Sequence, residues 1–167
     1  MQKIDLSLLN SLVTHFVDIQ TSGISSDSYI IEISIYNEKK TLSELIKPID
    51  DWTYWDSEHQ KNEHKITKKT LLKKGKDIFF LCNKLNEEYK SLVLWTDDNN
   101  KEKFIEDMFN NAGVLMNFKI KNIYNAIPPQ YGYTLLQEIK RNKSQKSLNN
   151  AKNIYDSWNK FVKENSI

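Results

Sequence analysis

The chain has 167 residues, of which 39% are hydrophobic, 11% aromatic and 28% charged, with a net charge of +2 at neutral pH. That balance excludes a disordered chain, which is poor in aromatic and aliphatic residues, and the length suits one domain over residues 1–167. No apolar run approaches the ~20 residues needed to cross a bilayer. The N-terminal Met1-Gln2-Lys3-Ile4-Asp5 lacks the pattern of a secretion signal, and the lone Cys82 excludes an internal disulfide or a cysteine cage for zinc. A cytoplasmic protein with no membrane partner is expected.

In chain order, Val13 to Ile19 reads as a buried strand that ends in the turn Thr21-Ser22-Gly23. Tyr29 to Tyr36 is a second strand with Ile31, Ile33 and Ile35 on one face, although Ile30 breaks the alternation and implies burial on both faces there. Thr41 to Ile46 supplies a third, closed by Pro48, and the short turns between them predict an antiparallel start to the sheet. From Lys76 to Glu88 the period becomes helical through Phe79, Phe80, Cys82, Asn83 and Leu85, with Cys82 read as a buried, inert thiol.

Ser91 to Trp95 reads as a short strand. Asp97 or Asp98 caps the next helix, which turns Phe104, Ile105, Met108 and Phe109 inward and stops at Gly113. A strand over Lys119 to Ile123 precedes the break at Pro128-Pro129 and a helix with Leu135, Leu136 and Ile139. In the last helix Leu148, Ala151, Ile154, Tyr155, Trp158, Phe161 and Val162 keep helical spacing. The order predicts an α/β fold: a mixed central sheet, its first three strands antiparallel, flanked by helices.

Charge is distributed unevenly. Residues 1–59 carry four lysines against ten acids, residues 61–90 nine lysines against four, and residues 137–163 seven basic residues against two. Two basic segments suggest a phosphate-attracting face, but Arg141 is the single arginine, so bidentate phosphate clamps are not the design. Trp52, Tyr54 and Trp55 form an aromatic group that either stacks on unpaired bases or seals the core edge. His15, His59 and His64 lack the spacing of a metal-binding helical pair, and no Gly-rich phosphate loop is present.

Phe16-Val17-Asp18-Ile19-Gln20-Thr21-Ser22-Gly23 resembles the first motif of the DEDD 3′-5′ exonucleases, an Asp-x-Glu at the end of the first strand followed by Thr-x-Gly. Tyr29 to Ile33 and Ile46-Lys47-Pro48 resemble that family's second and third strands. His64-Lys65-Ile66, with Leu71, Leu72 and Gly75 beyond it, resembles the His-Gly-Ile segment and the helix that follows. Phe109-Asn110-Asn111-Ala112-Gly113 resembles the end of the helix bearing the second motif. Gln145-Lys146-Ser147-Leu148-Asn149-Asn150-Ala151 resembles the third motif of the DEDDh branch, His-Arg-Ala-Leu-Asp-Asp-Ala. These matches keep their order over about 135 residues. The resemblance implies a ribonuclease H-like fold and a cleft for a nucleic-acid 3′ end.

It also implies a rewritten site. The family's two divalent ions, roughly 3.5–4 Å apart, need several anionic oxygen ligands. Asp18 keeps its place, but the paired Glu reads Gln20, the His base reads Gln145 and the third-motif Asp reads Asn150. The second-motif Asp falls at Lys101 or Glu102, and counting back from Phe109 selects Lys101. Amides preserve volume but bring no charge and no basicity at neutral pH. The expectation is a pseudo-exonuclease without a cofactor, acting as a binding module for a nucleic-acid 3′ end or a protein partner, with a homodimer also allowed. Thr21, Trp52, Trp55, His64, Lys65, Lys68, Lys69, Arg141, Lys143 and Lys146 are its candidate nucleic-acid contacts. One alternative is an active exonuclease holding Mg or Mn on Asp18, Glu102 and Asp97 or Asp98; the other is a structural subunit of a larger assembly. Asp156 reads as a solvated helix residue.

Overall fold

A computed structural model of the chain describes residues 6–166, so the reading of residues 1–5 lies outside the described residues. A short helix α1 (Ser7–Leu12) leads into β1 (His15–Thr21), β2 (Ile30–Asn37) and β3 (Lys40–Leu45). A helical turn α2 (Ser57–His59) runs into a π-turn (Gln60–His64), followed by α3 (Lys68–Lys74) and α4 (Ile78–Tyr89). Then come β4 (Val93–Thr96), α5 (Asn99–Ala112), β5 (Lys119–Asn122), a 3₁₀ turn (Ile123–Ala126), α6 (Pro129–Arg141) and α7 (Ser147–Asn165). The sheet order is β3-β2-β1-β4-β5, antiparallel across β3-β2-β1 and parallel across β1-β4-β5. This is the mixed sheet that the sequence predicts. Among the described residues no helix is long and apolar enough to cross a membrane.

The two faces of β1 explain where the core ends and the site begins. Val17 and Ile19 pack with Ile33, Ile35 and Leu94 against Leu81, Cys82 and Leu85 of α4 and Ile105, Met108 and Phe109 of α5. The alternate residues point the other way, where Phe16 joins Trp95, Tyr131, Leu135, Ile154, Trp158 and Phe161 under α6 and α7. Trp158 is fully buried, and its indole N–H donates to Asn10 Oδ1 at 3.0 Å. Because strand side chains alternate, Asp18 shares the α7 face with Phe16. A carboxylate is thereby forced into the layer between sheet and helix.

The structure revises several local readings. β1 begins at His15 because Val13 closes α1, its N–H donating to Leu9 O. A bulge between Gln20 and Thr21 shifts the β1–β2 register, so Ile30, not Ile31, shares the face of Ile33 and Ile35. Ile31 instead packs with Tyr29 and Leu71. Phe79 and Phe80 are about 60% exposed, and α4 buries Ile78, Leu81, Cys82, Leu85 and Tyr89. The buried residues form an i, i+3, i+4, i+7 stripe from Ile78, which leaves both rings on the opposite face, and Asp77 caps the helix by accepting from Phe80 N. α5 ends at Gly113 with φ +66°, a left-handed stop that favours glycine. Cys82 is buried and its thiol is pushed up to about 12 by burial, with Asp77 adding to the shift.

Candidate nucleic-acid cleft

The cleft opens where β1 and β4 end, the end of a parallel pair at which α/β sheets place ligands. It has a volume of about 400 Å³ and is walled by the β1 end, the loop 23–26, the π-turn, the first turns of α5 and the segment before α7. Gly23 is required at the turn, because a Cβ there would lie 2.8 Å from Asp56 Cβ and from the Tyr54 ring.

At its floor lies Asp18, 1% exposed. Its Oδ1 accepts from the Lys101 ammonium, which also donates to Asp97 Oδ1. Its Oδ2 accepts from Asn150 Nδ2 at 3.0 Å. Asn150 Nδ2 donates as well to Ser144 O at 2.9 Å, and its Oδ1 accepts from Ser144 N at 2.7 Å. Burial pushes the Asp18 carboxyl above the usual carboxylate range, opposed by the Lys101 charge and its hydrogen bond. Burial works against the Lys101 charge too, but Asp18 and Asp97 outweigh it and raise the ammonium above its ordinary value, so the cation persists at neutral pH.

Lys101 and Asn150 therefore both place nitrogen donors against Asp18. Divalent magnesium or manganese sites are built from oxygen ligands. Here both Asp18 oxygens already accept from nitrogen, and a cation stands between Asp18 and Asp97. The donor set does not fit a two-metal centre. Among the described residues no group of three or more His, Cys, Asp or Glu is placed to hold a metal. Asp98 caps α5 by accepting from Asn100 N, whereas Asp97, also read as a cap, pairs with Lys101. Glu102 lies on the first turn of α5 and lines neither the cleft nor its side chamber.

The amides at the other motif positions bridge the rim. Gln20 Nε2 donates to Gln145 O at 3.1 Å, and Gln145 Nε2 donates to Asn62 O at 2.9 Å, tying β1, the pre-α7 loop and the π-turn together. Beneath α7 a polar chain runs from Glu32 Oε2 through Ser147 Oγ to Ser34 Oγ, each step at 2.6 Å.

Of the candidate contacts, Thr21 and Lys143 line the cleft, and Thr21 Oγ1 donates to Gly23 O at 2.7 Å. The others lie elsewhere. Trp52 stacks on Tyr29 with ring centres 5.2 Å apart. Trp55 donates from its indole N–H to Gln60 Oε1 at 2.9 Å, meets His64 edge-on and carries the Lys68 ammonium 5.4 Å from its ring centre. His64 is buried, with Nδ1 accepting from Ile66 N. Lys65, Lys69 and Lys146 are exposed outside the cleft, and Arg141 pairs with Glu138 at 3.5 Å. Asp156 pairs with Lys152 on an exposed helix face, and His15 contacts Thr14 Oγ1. Sequence reasoning missed Glu63, Lys103, Asp107 and Ser144 in the lining. The Asp97–Lys101 pair was detectable from its i,i+4 spacing on a capped helix.

No family model and no curated protein sequence matches this chain. Solved structures do. Escherichia coli exonuclease I in complex with a dT13 oligonucleotide matches with a TM-score of 0.70 at 10% identity, over 90% of this chain and 41% of that one. A product-bound exonuclease I gives 0.65 at 11% identity over 92% and 44% of the two chains. The moderately thermophilic exonuclease I of Methylocaldum szegediense gives 0.64 at 10% identity over 90% and 40%. The chain thus spans about two fifths of the length of these enzymes, and over that span it has the ribonuclease H-like fold of the exonucleases.

Proposed function

We propose that this domain engages single-stranded nucleic acid without hydrolysing it. The observation that carries the reading is the Lys101 ammonium seated between Asp18 and Asp97, where the resemblance places a metal ligand. Hydrolysis by the family's route needs an activated water and a stabilised leaving oxygen, both supplied by divalent ions. Gln145 cannot take a proton from water at neutral pH, and Asn150 brings no charge. What remains is a cleft of about 400 Å³ with hydroxyls, lysines and an exposed apolar side chain, Ile24, on its lip. Oligonucleotides bound to exonuclease I, with dT13 in one complex and dA16 in another, support the choice of ligand.

The test is degradation of a 3′-labelled single-stranded oligonucleotide with Mg²⁺ or Mn²⁺, using Asp18→Ala as control. Neither protein should shorten the strand. Trimming by the wild type that Asp18→Ala abolishes would sink the proposal and favour the alternative of a metal set on Asp18 with Glu102 and Asp97 or Asp98. An intact strand that also fails to bind would move the partner from nucleic acid to protein.

A further inference from the structure

We infer that Lys101 is a tethered cation that lets the cleft hold the phosphodiester backbone of a single strand without any divalent ion. The inference rests on the nucleic-acid reading above and adds its metal independence and the residue responsible. A cleft floored by carboxylates repels phosphate unless a cation sits between the two. In this chain that cation is covalently attached. The ammonium is fixed by Asp18 and Asp97, and Asn150 occupies the remaining Asp18 oxygen. An incoming Mg²⁺ would have to expel a half-buried ammonium and two hydrogen bonds, and it gives up its own water reluctantly.

The position of Lys101 suits this role. It lines both the main cleft and a side chamber of about 190 Å³ that adjoins it through Asp98, Lys143 and Asn150. An ammonium has three N–H donors. Two go to Asp18 and Asp97, which leaves one for a phosphate oxygen entering from either chamber. Lys143 also lines both chambers, Lys103 lines the main one and Lys140 the side one, so four lysines converge on the space. Glu63, Asp98 and Asp107 lie in the same lining and oppose phosphate. Asp98 is partly occupied, since its Oδ1 accepts from Asn100 N in capping α5. Asp18 and Asp97 make the acids of the two linings five against four lysines, so net charge does not draw the phosphate in, and the contacts assigned to it are Lys101 and Lys143, which line both chambers.

The experiment is fluorescence anisotropy with a short labelled oligothymidylate, in EDTA and then in excess Mg²⁺ or Mn²⁺. Wild-type affinity should be unchanged within about twofold between the two conditions, and should fall with added salt. Lys101→Met should bind about tenfold more weakly in EDTA, the scale of one lost charge-assisted contact, and should regain affinity when Mn²⁺ is added. If Lys101→Met does not fold, Asp18→Asn/Lys101→Met replaces it, with the same loss in EDTA and no rescue by Mn²⁺. Lys143→Glu, on an exposed residue, should weaken binding in both conditions while leaving the urea unfolding curve in place. Wild-type binding that tightens about tenfold on adding Mg²⁺ overturns the inference. So does a folded Lys101→Met that binds like wild type in EDTA, or a wild type that binds no strand. Shortening of the strand is read separately by gel, and it would overturn the non-hydrolytic reading instead.

Discussion

Two buried titratable groups lie against the same end of the sheet and are treated in opposite ways. Asp18 is 1% exposed, and each of its oxygens accepts from a nitrogen donor, one of them a cation. His64 is 7% exposed; its Nδ1 accepts from Ile66 N, but its Nε2 has no partner among the described residues. Asp18 can thus keep its charge in a low-dielectric layer because the charge is answered, whereas His64 can only remain neutral. Its neighbours are edge-on rings, Trp55 at 5.9 Å and His59 at 5.4 Å, and neither answers a proton. Around Asp18 a charge is answered by donors, and around His64 it is suppressed by burial.

The comparison breaks first at Lys101. Lys101→Met keeps the bulk but leaves Asp18 and Asp97 facing one another without a cation. Removing one partner of a buried pair costs about 3–5 kcal/mol. Urea unfolding should show that loss, and Asp18→Asn/Lys101→Met should recover most of it, because the uncompensated charge is then gone. A Lys101→Met protein as stable as wild type would mean that Asp18 is not ionised in the fold.

His64 sets the next largest effect. Burial, with the His59 charge adding to it, lowers the imidazole to about 4 from 6.5. The unfolded chain therefore binds this proton first as pH falls. Stability is complete above about pH 6.5 and is lost as pH drops towards about 4, by up to about 3 kcal/mol, and the slope ends once both states are protonated. His64→Asn keeps an acceptor for Ile66 N but does not titrate. Subtracting its stability profile from that of the wild type isolates the step, since the raised Asp18 carboxyl contributes with the opposite sign to both proteins. A flat difference between pH 6.5 and 4 would show that His64 has solvent access that its burial denies.

The mixed sheet with its antiparallel start and the closing helix were legible because they rest on periodicity. Ile33, Ile35, Ile154 and Trp158 occupy the inner positions that alternation and helical spacing assign them. Phe79 and Phe80 were misread because two apolar stripes compete in α4, and the one that starts at Ile78 and runs through Leu81, Cys82, Leu85 and Tyr89 is the one that packs. The resemblance singled out Asp18, Gln20, Asn150 and Lys101, and the fold brings Lys101 onto Asp18 across 83 positions of sequence and Asn150 across 132. The rim bridge from Gln145 to Asn62 was not legible, since it joins two irregular segments whose approach depends on the whole sheet. The lysines show the limit of charge patterning: it picks out basic segments but not which members line the cleft, where Lys143 does and Lys65, Lys69 and Lys146 do not.

Asn150→Asp sharpens the comparison from the other side. The Asn150 Nδ2 donates to Asp18 Oδ2 and to Ser144 O. A carboxylate oxygen in its place would face two acceptors, one of them charged. The expected loss is about 2–3 kcal/mol at neutral pH, from an unsatisfied buried acceptor and like-charge repulsion. Acid should diminish it, because a protonated carboxyl can donate where the amide did. Thermal melts at pH 7 and pH 5 would check the sign, and a deficit that grows with acid would contradict the hydrogen-bond assignment.

Gln145 should give the smallest effect of the four. It is exposed, and its Nε2 makes a single bond to Asn62 O at 2.9 Å. Gln145→Ala should therefore change stability by no more than about 0.5 kcal/mol, as is usual for an exposed polar contact. Its consequence is local: amide exchange should quicken in residues 60–64, which lose their tie to the segment before α7, while the protection of β1 is unchanged. Gln145→His restores the imidazole that the resemblance places there, yet it should not confer strand cleavage. A base without bound metals has no activated water to deprotonate, and Lys101 and Asn150 still occupy the Asp18 oxygens. Cleavage by Gln145→His alone would show that the site needs far less than two metals. Cleavage that appears only after Lys101 and Asn150 are also returned to aspartate would place the block at Asp18 and not at the base.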